Sequence, residues 1–422
     1  MARPYSFTTR VSTAPVQYVV GIDVGAATCA VSLLRPDKTA VRAPFTIANT
    51  APGFAHLATE LAQLDCPPTQ IRIGLEATGR YWENLYQFLL QRGYDLVLVH
   101  PGQAHHFAQQ RGLRAKTDRL DAGTIGRALL SDDLRPAYVP SEAIAAYREL
   151  VRLQTDLTDA AARYKQEICD LLIVLFPEVT QVFKDPTGPT ALALLRAYPG
   201  AVAVAAAGSA AITRLLQAVA PHKYGPRTAA RLVALAQQSC ASQLAVAARS
   251  HCLQILIDEV RQTQANLSEL EREIVGLLQH DDDVVGLQSV PEFGPDTVAL
   301  LRAELGDVAR FQGSAQVVAY AGMDVTVRES GQWKGRRKLS KRGSGALRRG
   351  LFLAALGSLR TRSASAFGAY YRALEARGLR GYRALMAVMR KMLVVAYHLL
   401  KSGERYDPTK VWSGAVAQGA GS

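Results

Sequence analysis

The first 140 residues alternate short apolar runs with amphipathic stretches. Five apolar runs are bounded by turn residues, which predicts strands; they cover residues 18–23, 30–34, 41–47, 71–75 and 96–99. In three other stretches apolar residues recur every three or four positions, which predicts helices; these are residues 54–64, 81–91 and 118–130. Three strands in succession, followed by alternating helices and strands, indicate an α/β domain.

Two later segments carry apolar residues in a heptad rhythm, which predicts two long helices. The first ends before Pro177, and residues 178–250 would form an insertion between the two. The helices either pair as an antiparallel coiled coil or pack separately within one bundle. The predicted seam positions are Leu150, Leu153, Leu157, Ala160, Tyr164, Ile168, Leu171 and Leu175, then Leu253, Leu256, Val260, Thr263, Leu267, Leu270, Ile274 and Leu277.

Helical patterns also dominate the remainder of the chain. Residues 287–306 resemble a helix-hairpin-helix, a turn whose backbone N–H groups can bind phosphate. Glu292 stands where that hairpin usually has its first glycine, so we expect a packing role instead. The predicted organisation is an α/β domain over residues 1–140, a coiled-coil arm over 141–283 and a mainly α-helical domain over 284–422.

Composition favours a nucleic-acid partner. The chain has 422 residues, 49% of them hydrophobic, and a formal net charge of +13. Such a charge favours polyanions, although a basic surface can also serve solubility alone. The five cysteines are odd in number and lack a CxxC spacing, which argues against a disulfide framework and a zinc site. We expect a reducing cytoplasm, with no signal peptide and no membrane span.

Four carboxylates are the strongest candidates for chemistry. Asp23 ends the first apolar run, and Glu76 closes the fourth. Asp118 and Asp121 are three residues apart, which puts both on one face of a helix. Carboxylates held in this way bind hard cations such as Mg²⁺, so we expect metal-assisted phosphoryl transfer. Taken singly, each aspartate has the ordinary alternative of a turn or helix-start residue.

A basic run is the second candidate. Half of residues 334–349 are lysine or arginine, and interspersed glycines and serines let the backbone approach a nucleic-acid strand. Trp333 offers a stacking face. A solvated loop is the ordinary alternative. The predicted nucleic-acid contacts are Arg114, Lys116, Trp333, Lys334, Arg336, Arg337, Lys338, Lys341, Arg342, Arg348 and Arg349.

Arginines of the first domain and two histidines are weaker candidates. Arg72, Arg80, Arg92 and Arg111 could suit RNA as readily as DNA, because both present phosphate. The cluster at residues 105–107, His-His-Phe, is a modest candidate for a nucleotide contact.

Taken together, these residues resemble the DEDD transposases of the insertion-sequence one-ten family. Members carry an N-terminal RuvC-like domain, with a ribonuclease H-like sheet, and a C-terminal transposase domain. One departure is Gly25-Ala-Ala-Thr28, which replaces the family's lysine-containing turn. The matching blocks are Gly21-Ile-Asp-Val24, Glu76-Ala-Thr-Gly79, Lys116-Thr-Asp-Arg-Leu-Asp-Ala122, Val290-Pro with Gly294, Tyr320-Ala-Gly322, Glu329-Ser-Gly331, Ser340-Lys with Gly343, Leu347-Arg-Arg349, Met389-Arg-Lys391 and Lys401-Ser-Gly403.

The resemblance implies a site-specific recombinase that cuts and rejoins the DNA of an insertion sequence. Asp23, Glu76, Asp118 and Asp121 would hold Mg²⁺, with Mn²⁺ as a substitute, and Ser330 would be the nucleophile that forms a phosphoserine. It further implies a structured guide RNA, a homo-oligomer (dimer or tetramer) whose half-sites meet between subunits, and action on the nucleoid in the bacterial cytoplasm.

Three other functions remain open on the sequence. A RuvC-type hydrolytic junction nuclease needs the carboxylates but not Ser330, which is then an ordinary turn serine before Gly331. An actin-like ATPase is suggested by Gly21-Ile-Asp-Val-Gly25, although no second phosphate loop follows. A non-enzymatic RNA-binding scaffold would tolerate loss of all five site residues.

Overall fold

The computed structural model describes residues 15–77, 79–110, 118–131, 134–326, 329–330, 333–334, 338–360 and 365–412. The chain forms two compact units, Met1–Ala143 and Ile144–Ser422. The first unit is α/β and the second is predominantly helical, which confirms the fold class expected at each end of the chain.

The first unit is built on a five-stranded mixed sheet. Its strand order is β3-β2-β1-β4-β5; β1, β2 and β3 pair antiparallel, whereas β1, β4 and β5 pair parallel. The elements are β1 (Tyr18–Val24), β2 (Thr28–Leu34), β3 (Phe45–Ala48), α1 (Ala51–Ala62), β4 (Ile71–Glu76), α2 (Glu83–Leu90), β5 (Asp95–Val99), α3 (Pro101–Gln110) and α4 (Asp118–Ala128), with a 3-10 turn at Pro68–Gln70.

Helices cover both faces of this sheet. Ile22 and Ile73 pack with Leu57 of α1 and Leu89 of α2 on one face. On the other face Val19, Val97 and Val99 pack with Ala104 of α3 and with Ile125 and Leu129 of α4. Strand β1 is therefore buried on both sides, which explains why it is a nearly continuous apolar run.

Two elements differ from the sequence prediction. The predicted strand at residues 41–47 begins only at Phe45, because the chain before it makes a single bridge between Leu34 and Ala40. Helix α3 is not among the helices that the sequence pattern predicts. Pro101 is the first helical residue, a position where proline's missing N–H costs nothing.

The second unit consists of helices with four short strands. They are α5 (Glu142–Leu175), α6 (Pro189–Ala197), α7 (Ala201–Val219), α8 (Pro226–Gln237), α9 (Val246–Gln279), α10 (Val285–Gln288), α11 (Pro295–Leu305), α12 (Ser314–Tyr320), β6 (Val325–Thr326), β7 (Glu329–Ser330), β8 (Trp333–Lys334), β9 (Lys338–Leu339), α13 (Gly345–Arg360), α14 (Ala366–Ala376) and α15 (Tyr382–Ser402). Short 3-10 turns lie at Pro177–Gln181, Asp282–Val284, Val308–Arg310 and Pro408–Lys410.

Two hydrophobic cores organise this unit. The proximal core joins Tyr147 of α5 and Leu278 of α9 to α10–α15. The distal core joins Leu172 of α5 and Leu253 of α9 to α6–α8, which form the segment predicted as an insertion. Helix α5 contributes to the proximal core near its N-terminal end and to the distal core near its C-terminal end, whereas α9 does the reverse. The two long helices therefore run antiparallel. Their pairing as a coiled coil stays a prediction.

The buried stripe of α5 matches the predicted seam only in part: Ile168 and Leu175 are buried as predicted. Val151, Ala161 and Leu172 are buried, each one residue after a predicted position, and Leu153 is 48% exposed. A strict 3.5-residue repeat drifts relative to a straight helix, so the buried side moves along a long sequence. In α9 most predicted positions, among them Leu253, Val260, Leu270 and Ile274, are buried.

Helix α7 is, among the described residues, the one helix long and apolar enough to span a membrane. Its backbone is interrupted at Gly208, where φ is 72° and ψ is 166°. Val204, Ile212 and Leu216 are fully buried in the distal core. Packing within this unit thus covers one side of α7, whereas Val202 and Val219 are exposed.

The hairpin between α10 and α11 packs into the proximal core. Val290 and Phe293 are buried there. Glu292, half-buried, accepts a hydrogen bond at Oε1 from the Ser365 hydroxyl at the start of α14. The carboxylate in place of the usual glycine thus connects two helices within the unit.

Candidate active site

Two of the predicted carboxylates lie side by side at one edge of the sheet. Strands β1 and β4 are parallel neighbours, and Ile22 pairs with Leu75 in their register. Asp23 and Glu76 are the next residues on each strand, and both are half-buried. Neighbouring strands lie about 4.8 Å apart. The fold therefore brings together two carboxylates that are 53 positions apart in the sequence.

Both carboxylates are on the face of the sheet that α4 covers. A Cβ built on Gly21 would lie 2.1 Å from the carbonyl oxygen of Ala122, and one on Gly74 would lie 2.7 Å from Leu129 Cδ1. Residues two apart on a strand share a face. Asp23 follows Gly21 by two residues, and Glu76 follows Gly74 by two, so each shares the α4 face.

Helix α4 carries the other two carboxylates. Asp121 is half-buried and directly precedes Ala122, the residue in contact with β1. Asp118 is the first residue of the helix, and its side chain lies outside the described part of the chain. Within the described part, no group of three or more His, Cys, Asp or Glu side chains is arranged to hold a metal ion. The four-carboxylate metal site stays a prediction.

Cys29 is the titratable neighbour of Asp23. Its thiol is buried on β2, and burial raises its pKa to about 11, with a further contribution from the negative charge of Asp23. The thiol is consequently protonated at neutral pH. Asp23 and Glu76 offer carboxylate oxygens to a cation at this edge of the sheet.

Asn49 connects the two loops that follow these carboxylates, a role that sequence reasoning missed. Its side-chain Nδ2 donates to the carbonyl of Gly25, at 2.9 Å, and to the carbonyl of Tyr81, at 3.3 Å. Gly25 lies two residues after Asp23, and Tyr81 lies five after Glu76. An asparagine between a strand and a helix is a weak signal for such a role, because it is equally common as a cap or turn residue.

Ser330 lies in a set of nested strand pairs. Val325 pairs with Leu339 and Thr326 with Lys338, and inside them Glu329 pairs with Lys334 and Ser330 with Trp333. Ser330 and Trp333 are the innermost of these pairs, separated by two residues in the sequence. Their side chains lie outside the described part of the chain, as do those of Lys334 and Lys338.

The loop that begins at Ser340, after these strands, is hydrogen-bonded to the residues that follow α12. Ser340 donates its hydroxyl to the Asp324 carboxylate, and the Lys341 N–H donates to the Gly322 carbonyl at 3.1 Å. A Cβ on Gly343 would lie 2.1 Å from the carbonyl oxygen of Tyr320. This close approach requires glycine and gives the Ser340-Lys-Arg-Gly343 motif a structural purpose.

Several predicted nucleic-acid residues also have partners within the protein. Arg348 donates from Nη1 to the carbonyls of Ala321, at 2.9 Å, and Gly343, at 3.0 Å. Arg349 forms an ion pair with Asp159 of α5. Lys341 and Arg342 are exposed. Arg114, Lys116, Arg336 and Arg337 lie outside the described residues.

Two arginines of the first unit have contacts within the protein, and their predicted nucleic-acid contact stays a prediction. Arg72 Nε lies 2.7 Å from Asp95 Oδ2, and the Asp95 side chain is almost fully buried. The Arg92 guanidinium lies 3.5 Å from the centre of the Phe88 ring.

Comparison with known proteins finds two family matches. Residues 20–177 match a DEDD family profile described as a transposase, and residues 286–372 match the profile "Transposase IS116/IS110/IS902 family". The first match contains all four predicted carboxylates, and the second contains Ser330.

Three relatives illustrate the extent of the similarity. The chain is 29% identical over 300 residues to an insertion element IS110 protein of Streptomyces coelicolor, covering 69% of this chain and 72% of that protein. It is 25% identical over 337 residues to an insertion element IS900 protein of Mycobacterium paratuberculosis, covering 78% and 83%. It is 20% identical over 368 residues to the pilin gene-inverting protein of Moraxella bovis, covering 86% and 90%.

Proposed function

Because the chain belongs to the IS110 family of transposases, we propose that it is a site-specific DNA recombinase that cuts and rejoins DNA through a phosphoserine. The observation that carries this proposal is the position of Asp23 and Glu76 at the ends of neighbouring parallel strands, on the face crossed by α4. Phosphoryl transfer needs carboxylates held rigidly in such a place.

The first unit is proposed to be a RuvC-like domain of ribonuclease H type. An antiparallel meander of three strands continues into two parallel strands, in the order β3-β2-β1-β4-β5, with helices on both faces. This arrangement supports the proposal, together with the acidic residues at the ends of β1 and β4. Fold alone does not define the reaction, which is argued from the site.

The residues fit Mg²⁺ or Mn²⁺. The proposed donors on Asp23, Glu76, Asp118 and Asp121 are hard oxygen atoms, and the Cys29 side chain packs in the core on the opposite face of the sheet. A bound cation would neutralise charge on the phosphate and help to activate a hydroxyl nucleophile. Asn49 would hold the adjoining loops in place.

The second unit is proposed to supply the nucleophile. Ser330 Oγ loses its proton and bonds to phosphorus, while the bond from phosphorus to one deoxyribose oxygen breaks and that oxygen leaves as a hydroxyl. The phosphoserine keeps a phosphoester bond, so attack by another deoxyribose hydroxyl rejoins DNA and restores the serine. Lys341, Arg342 and the other basic residues of the run would hold the DNA backbone.

Partners follow from the same proposal. The name of the Moraxella relative states that it inverts a gene, which supports DNA as the substrate here. We further propose a structured guide RNA that pairs with element and target, a homo-oligomeric assembly, and action on DNA in the cytoplasm. The net charge of +13 suits both nucleic acids.

The test is a covalent adduct. Purified protein, element RNA, Mg²⁺ and labelled junction DNA are incubated and then separated under denaturing conditions. The wild type should give a protein–DNA adduct that Ser330→Ala and Asp23→Ala both lose. Ser268→Ala, which removes an exposed hydroxyl from α9, should keep it. DNA cleavage without any adduct, unchanged in Ser330→Ala, would instead identify a RuvC-type hydrolytic nuclease.

A further inference from the structure

A cavity of about 300 Å³ opens in the second unit between β9, α13 and α15. One side of this cavity, which we call the α13–α15 cavity, is cationic and the other is aromatic and apolar. The cationic side comes from Lys341, Arg348 and Arg349, and the apolar side comes chiefly from Phe352, Tyr382 and Met389.

The aromatic side leaves a large ring available to a ligand. Tyr382 is the first residue of α15 and is 61% exposed. Its ring centre lies 6.4 Å from that of Phe352, with the two planes inclined at 43°. Met389 is buried at the same cavity. Aromatic faces and thioethers bind flat, polarizable groups, and nucleobases are the common example in nucleic-acid-binding proteins.

Two of the three cationic side chains have partners within the protein. The Arg348 guanidinium uses two of its five N–H donors on the carbonyls of Ala321 and Gly343. Arg349 is directed by its ion pair with Asp159. Lys341 is exposed, and its backbone is left-handed, with φ of 52°. A phosphate near these groups would gain charge-assisted hydrogen bonds.

The size of the cavity suits a single nucleotide and not a duplex. A duplex is wider than its own major groove, which is already roughly 12 Å wide, and a cavity of about 300 Å³ has no room for it. The volume lies at the lower end of the roughly 300–1,000 Å³ found for small-ligand sites. A duplex cannot enter, whereas an unstacked base with its phosphate can.

The cavity is adjacent to the strands that carry Ser330. Leu339 lines the cavity and pairs with Val325. Five residues lead from Val325 to Ser330, so the chain keeps the serine within about 18 Å of that strand pair. One DNA strand can therefore contact both the cavity and Ser330.

We propose that the α13–α15 cavity binds one unstacked nucleotide of the DNA strand that Ser330 attacks. Tyr382 stacks on the base, and Lys341 and Arg349 contact the adjoining phosphate. This inference rests on the proposed function, since it names the part of the DNA substrate that the second unit recognises. Binding of an unpaired base would favour strands that are already open, which is a source of selectivity.

The experiment compares single-stranded and duplex DNA on the full chain. Fluorescence anisotropy with labelled oligo(dT) and with a duplex of the same length gives the affinities. Tyr382→Ala should weaken oligo(dT) binding by about 5- to 150-fold, the range that stacking supplies, and leave duplex binding unchanged. Tyr382→Phe should bind as the wild type does, because the ring is kept.

Two further variants separate the contributions. Leu353→Ala truncates an equally exposed apolar residue of α13 outside the cavity and should bind like the wild type. Lys341→Ala should reduce the slope of log affinity against log salt concentration for oligo(dT) by about 0.7, the value for one lost phosphate contact on a single strand.

The outcomes separate this inference from the recombinase proposal. If the wild type forms the Ser330-dependent adduct while Tyr382→Ala binds oligo(dT) normally, the cavity assignment is wrong and the recombinase stands. If Tyr382→Ala loses oligo(dT) binding while no adduct forms in the wild type, the cavity assignment stands without the serine chemistry. Tyr382-dependent binding of oligo(U) but not oligo(dT) would overturn the assignment to DNA.

Discussion

Gly126 of helix α4 lies directly against Gly21 of strand β1. A Cβ on Gly21 would lie 2.3 Å from the Gly126 nitrogen, and a Cβ on Gly126 would lie 3.4 Å from the Gly21 nitrogen. The two backbones can approach this closely because Gly21 has no side chain, whereas a Cβ on Gly126 would make only ordinary van der Waals contact with Gly21. The contact determines how near α4, and with it Asp121, comes to the edge of the sheet where Asp23 lies.

We expect Gly21→Ala to displace α4. The added methyl group would overlap the Ala122 carbonyl as well as Gly126, so the free energy of unfolding of the first unit should fall by about 3 kcal/mol. Urea denaturation followed by circular dichroism measures this change.

Gly276→Ala is the comparison for that substitution. Gly276 is inside α9, has nothing within 4 Å of its built Cβ and lacks a positive φ. Alanine there should stabilise the second unit by about 0.5–1 kcal/mol. Equal stability of Gly21→Ala and the wild type would contradict the close approach of α4.

We expect Arg72→Met to destabilise the first unit because it leaves the Asp95 carboxylate without its partner. The Asp95 side chain is only 3% exposed. Removing one member of a buried pair costs about 3–5 kcal/mol. The double variant Arg72→Met with Asp95→Asn should recover much of the loss, and a double-mutant cycle from chemical denaturation measures the coupling. Additive losses would mean that the two residues do not interact.

Cys29 should resist thiol reagents at a pH where exposed cysteines react. Burial raises its pKa from 9.0 to about 11, so the nucleophilic thiolate is scarce at pH 8. Cys252, which is exposed, provides the internal control. Labelling with iodoacetamide followed by peptide mass spectrometry should show modification of Cys252 well before Cys29.

The same shift has a consequence for stability. When the pKa of an acid is raised by folding, there is a pH range between the two pKa values in which the folded protein keeps the proton and the unfolded chain has lost it. Stability falls as the pH rises through this range. The contribution of Cys29 is therefore fully present below pH 9 and is lost as the pH rises through about 11. The fall in the free energy of unfolding between these values should be smaller in Cys29→Ala.

Asp23→Asn should reduce the stabilisation that a divalent cation gives. A cation at 100 times its dissociation constant should stabilise the wild type by about 2.7 kcal/mol and the variant far less. Thermal unfolding with EDTA, Mg²⁺ or Mn²⁺ measures this difference, and equal metal-induced shifts in the two proteins would exclude Asp23 as a ligand.

The positions of the carboxylates on strands and helix were predictable because they depend on local patterns. Asp23 and Glu76 each end an apolar run, and Asp118 and Asp121 have helical spacing. The contact of Gly21 with Gly126 could not be predicted, because the two residues are far apart in the sequence. A glycine in either position could equally have indicated a turn. The two loop hydrogen bonds of Asn49 likewise depend on the folded geometry and leave no local pattern.

Helices α5 and α9 each have 34 residues and join two separate cores, which makes them a spacer of defined length. At 1.5 Å per residue each helix spans about 51 Å. Inserting one heptad into both helices, at facing positions between the cores, would move the distal core outward by about 10 Å. The side chains that close each core would keep their partners. The separation between the two ends of this unit is thus encoded in residue number alone, and it can change without altering either core.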